Sequence, residues 1–247
     1  MASGSPRIPR FHIPASLSAG STLALPQAAA HHASRVLRLQ ESEAIVLFNG
    51  EGGEYAARIV RLSKDGVIVE IGAFNPVEKE SPLTVTLVQG VSAGDRMDLT
   101  IQKAVELGVS EIQPILAERS VVRLKGERSD SRREHWQRVA TSACEQSGRN
   151  RVPPVATAVS LEEWRPPANA LKVLLAPGGR ATLRSLGPPK ENPVFVAAGP
   201  EAGFSPREEA LLEAAGFQRV GLGPRVLRTE TAGPAALAAL SALYGDG

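Results

Sequence analysis

The sequence predicts an α/β protein in two parts: a small β-barrel, followed by a larger domain in which largely parallel strands alternate with helices. Three observations carry that expectation. Apolar runs in the first seventy or so residues are short and separated by turn residues. From Leu83 onward, strand-like runs alternate with amphipathic helical stretches. Three of the later runs end in glycine-rich loops, the position where parallel sheets bind ligands.

In the first part, AIVLFNG (44–50), EGGEYAARIVRLS (51–63) and VIVEIG (67–72) read as strands. Asp65-Gly66 supplies a hairpin turn because both residues tolerate positive φ, and Asn49 to Gly53 supplies a second turn. HHASRVLRL (31–39) is expected as a short helix with Val36 and Leu37 on its apolar side and Arg35 and Arg38 outward. Asn75-Pro76 and Ser81-Pro82 frame a charged link, which places the boundary between domains at residues 1–73 and 74–247.

The second part offers the strands TVTLVQG (84–90), EIQPIL (111–116), LKVLLA (171–176), PVFVAAG (193–199) and QRVGLG (218–223). Helices are expected from about Asp95 to Leu107, where Met97, Ile101, Ala104 and Val105 form an apolar stripe and Gly108 the stop, and from about Ser131 to Ser147. Ser205-Pro206-Arg207-Glu208 opens another as a capping box with proline in its first turn. The last helix, Ala235 to Tyr244, is rich enough in alanine and leucine to need cover on most sides.

Composition narrows the function classes. At 247 residues, with 43% hydrophobic and 22% charged residues, the chain can bury a large core. It contains no run of eighteen apolar residues and no apolar secretory segment near its start, so a soluble, cytoplasmic protein with no membrane partner is expected. A single cysteine, Cys144, fits a reducing compartment and a buried apolar role. His12, His31 and His32 lack ligand spacing, and no metal is expected. Net charge is only +2, but residues 119–151 hold nine Lys or Arg against four acids, either a phosphate-contacting face or a solvated helix surface.

Candidate chemistry gathers in the three loops. The first is Ala176-Pro177-Gly178-Gly179, the second Gly199-Pro200-Glu201-Ala202-Gly203-Phe204, and the third Gly223 to Thr231 with Arg225, Arg228 and Glu230. Small residues there let backbone amides and carbonyls approach a flat or anionic group. None of the loops is a dinucleotide fingerprint, a P-loop, a hydrolase elbow or a zinc pattern.

GPEAGF (199–204), LGPRVLRTETA (222–232), KAVELGV (103–109), ERS (118–120) and ACEQSGRNRVP (143–153) together closely resemble the 16S ribosomal RNA uridine-N3 methyltransferase family, RsmE, of the SPOUT superfamily. RIPRF (7–11) and HHASRVLRL extend the resemblance over nearly the whole chain. One departure is Ala202, where the family usually has a second glycine, and the APGG loop falls in a variable region. The resemblance implies a PUA-like β-barrel, a SPOUT-type α/β domain with a C-terminal trefoil knot, and a homodimer. It also implies S-adenosyl-L-methionine as cofactor, and 16S ribosomal RNA or the small ribosomal subunit as substrate.

On that basis Leu175, Ala176, Gly199, Pro200, Glu201, Gly203, Leu222, Gly223, Arg225 and Leu227 are expected to bind the cofactor, largely through the backbone. Arg228 is expected to stabilise negative charge on a deprotonated uridine ring. Glu230 either takes the N3 proton or orients Arg228, or else serves as a first-turn carboxylate facing the helix dipole. Arg7, Arg10, Arg35, Arg38 and Arg149 are the candidate RNA contacts. Rival readings are another SPOUT methylation of ribosomal RNA and a ribosome-binding protein without catalysis.

Overall fold

A computed structural model describes residues 8–64, 66–122 and 126–246, so Arg7, Asp65, Arg123 and Lys125 lie outside the described residues. The chain forms two compact units, Met1–Glu80 with Cys144–Val152, and Ser81–Ala143 with Pro153–Gly247.

The first unit is built on one sheet of five strands, β1 (Arg10–His12), β2 (Thr22–Ala24), β3 (Ala44–Phe48), β4 (Glu54–Ser63) and β5 (Gly66–Asn75), in the order β1-β3-β4-β5-β2. Strands β3, β4 and β5 run as the expected antiparallel series, while β1 adds parallel to β3 and β2 antiparallel to β5. Alternation sends Ile45, Leu47, Ala57, Ile59, Val67, Val69 and Ile71 to one buried cluster, which Phe11 and Ile13 complete. Two register shifts between β4 and β5, at Tyr55/Ala57 and Ile59/Arg61, mark bulges, which bend a strand and increase its twist.

The helix expected over residues 31–39 is displaced. α1 covers Gln27–His31, and a π-helical turn succeeds it over His32–Val36, closed by the Leu37 amide on the His32 carbonyl at 2.9 Å. The wider turn carries one residue more than an α-turn and rotates the residues beyond it about the helix axis. Ala33 becomes the buried residue, while Val36 and Leu37 are exposed rather than facing inward.

Segment Cys144–Val152 packs in this unit through polar groups. Arg10 pairs with Glu54 and donates to the Arg149 carbonyl and the Asn150 side-chain oxygen. Arg149 pairs with Glu80, and Asn150 Nδ2 donates to the Val77 carbonyl at 2.8 Å. Cys144 is fully buried, as its expected apolar role requires, and burial pushes its thiol up to about 12.

The second unit holds an all-parallel sheet of β6 (Val85–Gly90), β7 (Glu111–Ile115), β8 (Leu171–Leu175), β9 (Val194–Ala198) and β10 (Gln218–Val220), ordered β10-β8-β9-β6-β7. Every residue of β6 and β9 is buried, as a sheet covered on both faces demands. α2 (Asp95–Glu106) buries Met97, Thr100, Ile101, Ala104 and Val105, one stripe at helical spacing, and ends at Gly108, whose φ is +84°. α3 begins at Glu127, four residues ahead of expectation, and runs to Ser147.

α4 (Pro206–Ala214) starts with the full capping box: Ser205 accepts from the Glu208 amide, and the Glu208 side chain accepts from the Ser205 amide. α5 spans Thr229–Tyr244, beginning six residues before the expected start. Gly233-Pro234 lies inside the helix, where proline has no amide to bond the Glu230 carbonyl and crowds the preceding turn, so tertiary packing has to offset the pair. The expected cover is present: from Ala235 to Tyr244 only Ala238 and Ala242 are exposed, while Ala236, Leu237 and Leu240 are buried, as are Gly233 and Pro234 before them.

Candidate active site

Because β8, β9 and β10 are parallel and adjacent to one another or to β6, the three glycine-rich loops emerge from the same edge of the sheet. Close packing between and within them depends on missing side chains. A Cβ on Gly179 would lie 2.7 Å from the Gly221 amide nitrogen, and one on Gly199 would lie 2.8 Å from the Phe204 amide nitrogen, both closer than real Cβ contacts.

Between the loops lies a pocket of about 360 Å³. Its walls are Leu175 to Pro177, Ala198 to Glu201 with Gly203, Val220, and Leu222 to Ala232 apart from Pro224 and Thr231, with Arg96 from α2 at the edge. All ten residues expected to bind a cofactor, and both Arg228 and Glu230, are brought together there.

Within the pocket the charged groups differ in setting. The Glu201 side chain accepts from the Ala93 amide at 2.9 Å and from Arg96 at 3.0 Å. Burial pushes its carboxyl up, but the Ala93 and Glu201 amides with the Arg96 guanidinium outweigh that and hold it below its usual range. Glu201 therefore contributes to the pocket by pinning its loop to the start of α2. Arg225 and Val226 are exposed on the third loop.

Arg228 occupies the N-cap of α5 with its side chain 81% exposed, and its guanidinium stands 4.0 Å from Glu230 Oε1. The Glu230 side chain is only 14% exposed, and its Oε2 is buried without a hydrogen-bond partner among the described residues. A buried carboxylate oxygen with no donor is costly unless a ligand uses it. The arrangement therefore offers a proton acceptor on one wall of the pocket beside a solvent-facing cation.

Sequence reasoning did not single out Arg96, Pro177, Ala198, Val220, Thr229 and Ala232 among the lining residues. Arg96 lies 79 residues before the nearest lining residue, Leu175, so only the fold brings it in. Thr229 sits between Arg228 and Glu230 and carries no charge to single it out.

The candidate RNA contacts divide. Arg35 and Arg38 are exposed, and Arg38 adopts φ +55°. Arg10 and Arg149 are instead buried, with side chains 7% and 6% exposed and engaged by Glu54 and Glu80. His12 is half-buried beside the Asn49 carbonyl, and burial holds its pKa down against that carbonyl's pull. Among the described residues no group of three or more His, Cys, Asp or Glu is placed to hold a metal ion, and no helix is long and apolar enough to cross a membrane.

Residues 79–241 match a family described as an RNA methyltransferase domain, and residues 25–72 match an RNA methyltransferase PUA domain. Ribosomal RNA small subunit methyltransferase E of Buchnera aphidicola (Schizaphis graminum) is 33% identical over 97% of this chain and 98% of its own. The Bacillus subtilis protein of that name is 34% identical over 85% of this chain and 86% of its own. A Neisseria gonorrhoeae ribosomal RNA small subunit methyltransferase E bound to S-adenosyl methionine superposes with a TM-score of 0.90 at 42% identity, covering 97% of this chain and 99% of that one. The Legionella pneumophila putative methyltransferase in complex with the same cofactor gives 0.92 at 38%, covering 98% and 100%. The chain belongs to the ribosomal RNA small subunit methyltransferase E family.

Proposed function

We propose that this protein is an S-adenosyl-L-methionine-dependent methyltransferase that modifies N3 of a uridine in 16S ribosomal RNA. The observation that carries the reading is the convergence of three glycine-rich loops on one pocket beside the unpartnered Glu230 oxygen. The pocket fits the cofactor. Its lining is mostly apolar, its volume is in the range that holds an organic ligand, and loop backbones can supply hydrogen bonds to adenine and methionine groups. Leu175, Ala176, Gly199, Pro200, Gly203, Leu222, Gly223, Arg225 and Leu227 would hold it, with Glu201 anchoring the middle loop. S-adenosyl-L-methionine supplies, when bound, a methyl group made electrophilic by its sulfonium.

What the chain's own residues do is align the acceptor and remove its proton. Uridine N3 is protonated at neutral pH, so Glu230 Oε2 accepts that proton and Arg228 stabilises the negative charge left on the ring. N3 lies on the pairing edge, so the base must be unpaired or extruded to react. Residues 1–73 serve as a PUA-like barrel that binds RNA, with Arg35 and Arg38 as phosphate contacts and Arg10 as an internal brace, while Arg149 braces the segment Cys144–Val152 that packs in the same compact unit. Residues 74–247 form the methyltransferase domain, with a C-terminal trefoil knot and a homodimer as its working form. The substrate is 16S RNA or the assembled small subunit, in the cytoplasm.

Two measurements test this. Ribosomal RNA from cells lacking the gene should lose one N3-methyluridine by mass spectrometry, and loss of a ribose methylation instead would overturn the assignment. In the purified protein, Glu230→Gln and Arg228→Ala should each lower turnover by about 10²-fold or more while S-adenosylmethionine affinity is kept. Normal turnover in both variants would remove them from the chemistry.

A further inference from the structure

The carboxyl end of β6 carries a buried polar cluster that the proton chemistry above leaves unused. Gln89 is 0% exposed, Ser92 3% and Thr229 8%. Gln89 Nε2 lies 3.1 Å from the Gly90 carbonyl, 3.4 Å from the Gly199 carbonyl and 3.1 Å from Thr229 Oγ1. Carbonyls only accept, so the nitrogen of this amide must face them. Thr229 Oγ1 therefore accepts from Gln89, and its single proton goes to the Gly199 carbonyl at 2.9 Å. Ser92 Oγ, 3.1 Å from Thr229 Oγ1 and 3.3 Å from the Gly90 carbonyl, is then the donor to either partner.

This hydroxyl has a commanding position. Thr229 is the first residue of α5, flanked by Arg228 and Glu230, and the Arg228 N-cap contributes no side-chain cap. Gly199 is where β9 opens into the GPEAGF loop, and both Gly199 and Thr229 line the pocket. α5 is seated closely on β6, since a Cβ on Gly233 would meet a Leu87 methyl at 3.0 Å and Gln89 Oε1 at 3.4 Å. One side chain thus ties the loop behind the pocket to the helical turn that presents the two charged groups.

We propose that Thr229, held by Gln89 and Ser92, is a positioning residue for methyl transfer: it fixes the first turn of α5 so that Glu230 and Arg228 stand at set places beside the cofactor pocket. The inference rests on the methyltransferase reading above. Removing the hydroxyl without changing volume leaves the Gln89 donor and the Gly199 carbonyl short of a partner, and the turn gains freedom to shift. Reacting groups displaced by about 1 Å can lose roughly 10²-fold in rate, whereas binding spread over three loops is far less sensitive.

The experiment compares Thr229→Val, Thr229→Ser and Ser92→Ala with the parent protein. It reads turnover on ribosomal RNA, S-adenosylmethionine affinity by calorimetry, and amide hydrogen exchange across 230–233 without cofactor. Thr229→Val should lose on the order of tenfold to a hundredfold in kcat, hold cofactor Kd within about threefold, and exchange faster in the first turn of α5. Thr229→Ser keeps the hydroxyl and should restore kcat to within about threefold of the parent. Unchanged kcat in Thr229→Val, or a Kd that worsens by the same factor as kcat, overturns the proposal. Should Thr229→Val fail to fold, Ser92→Ala decides: a fall in kcat at constant Kd supports the positioning role, and unchanged kcat rejects it. A parent protein that binds no S-adenosylmethionine sinks the methyltransferase reading instead, a result distinct from all of these.

Discussion

Glu145 carries its charge against its surroundings. Its Oε1 accepts from the His12 amide at 2.9 Å, yet burial outweighs that bond and the nearby His32 and Arg10 charges, raising its pKa. A carboxyl whose folded pKa is raised favours folding below its unfolded value of 4.5 and loses that contribution as pH rises through the folded value. Glu145→Gln keeps an acceptor for the His12 amide without the charge. It should melt higher than the parent at pH 7, and the gap should close as pH falls to about 4. A lower melting temperature at pH 7 would mean that the charge has a partner worth more than its desolvation. At this scale the pocket was legible and its braces were not. Gly199 and Leu222 sit in loops whose composition marks them, and Glu230 directly follows one. Arg10 and Arg149 look in sequence like any surface cations, because Glu54 and Glu80, the acids that bury them, lie 44 and 69 positions away.

Elements show the same division between local and distant causes. The start of α4 was legible to the residue because it is written locally: Ser205 caps, Pro206 pre-sets the first turn, and Glu208 closes the box. Ser205→Ala should cost about 1 kcal/mol, seen as a fall of roughly 2–4 °C in melting temperature. An unchanged melting temperature would show that the Glu208 bonds to the Ser205 and Glu118 amides hold the turn alone. β1 and β2, three residues each, have no such local signal and exist because distant strands offer edges, β1 to β3 at Val46 to Phe48 and β2 to β5 at Ile68 to Glu70. The start of α5 was hidden by Gly233-Pro234, whose helix-breaking tendency yields to close packing on β6. Its earlier start matters chemically, since it puts Thr229 and Glu230 in a helical first turn instead of a loop.

For the whole molecule, charge is spread so that the two proposed ligands should respond differently to salt. Net charge is only +2, yet Arg35 and Arg38 are exposed in the first unit, while the pocket of the second is lined mainly by apolar and glycine residues. RNA binding through phosphate contacts releases condensed counterions, so its affinity falls steeply as salt rises. A single-stranded contact to each phosphate contributes a slope of about −0.7 in log affinity against log salt, and a duplex contact about −0.9. Arg35→Ala and Arg38→Ala should therefore each flatten the slope by about one such contact and weaken binding of all RNA sequences alike. The pocket proposed for S-adenosylmethionine is small, and the cofactor's affinity should stay within about twofold over the same salt range, because contacts made largely by loop backbones are little affected by screening. Filter binding of 16S RNA and calorimetry of the cofactor, both from about 50 to 200 mM salt, give the two slopes. Parallel slopes for both ligands would mean that cofactor binding is itself electrostatic and that the apolar reading of the pocket is wrong. An unchanged RNA slope in both arginine variants would move the phosphate contacts elsewhere, with the exposed Arg128, Arg132 and Arg138 of α3 next to be replaced.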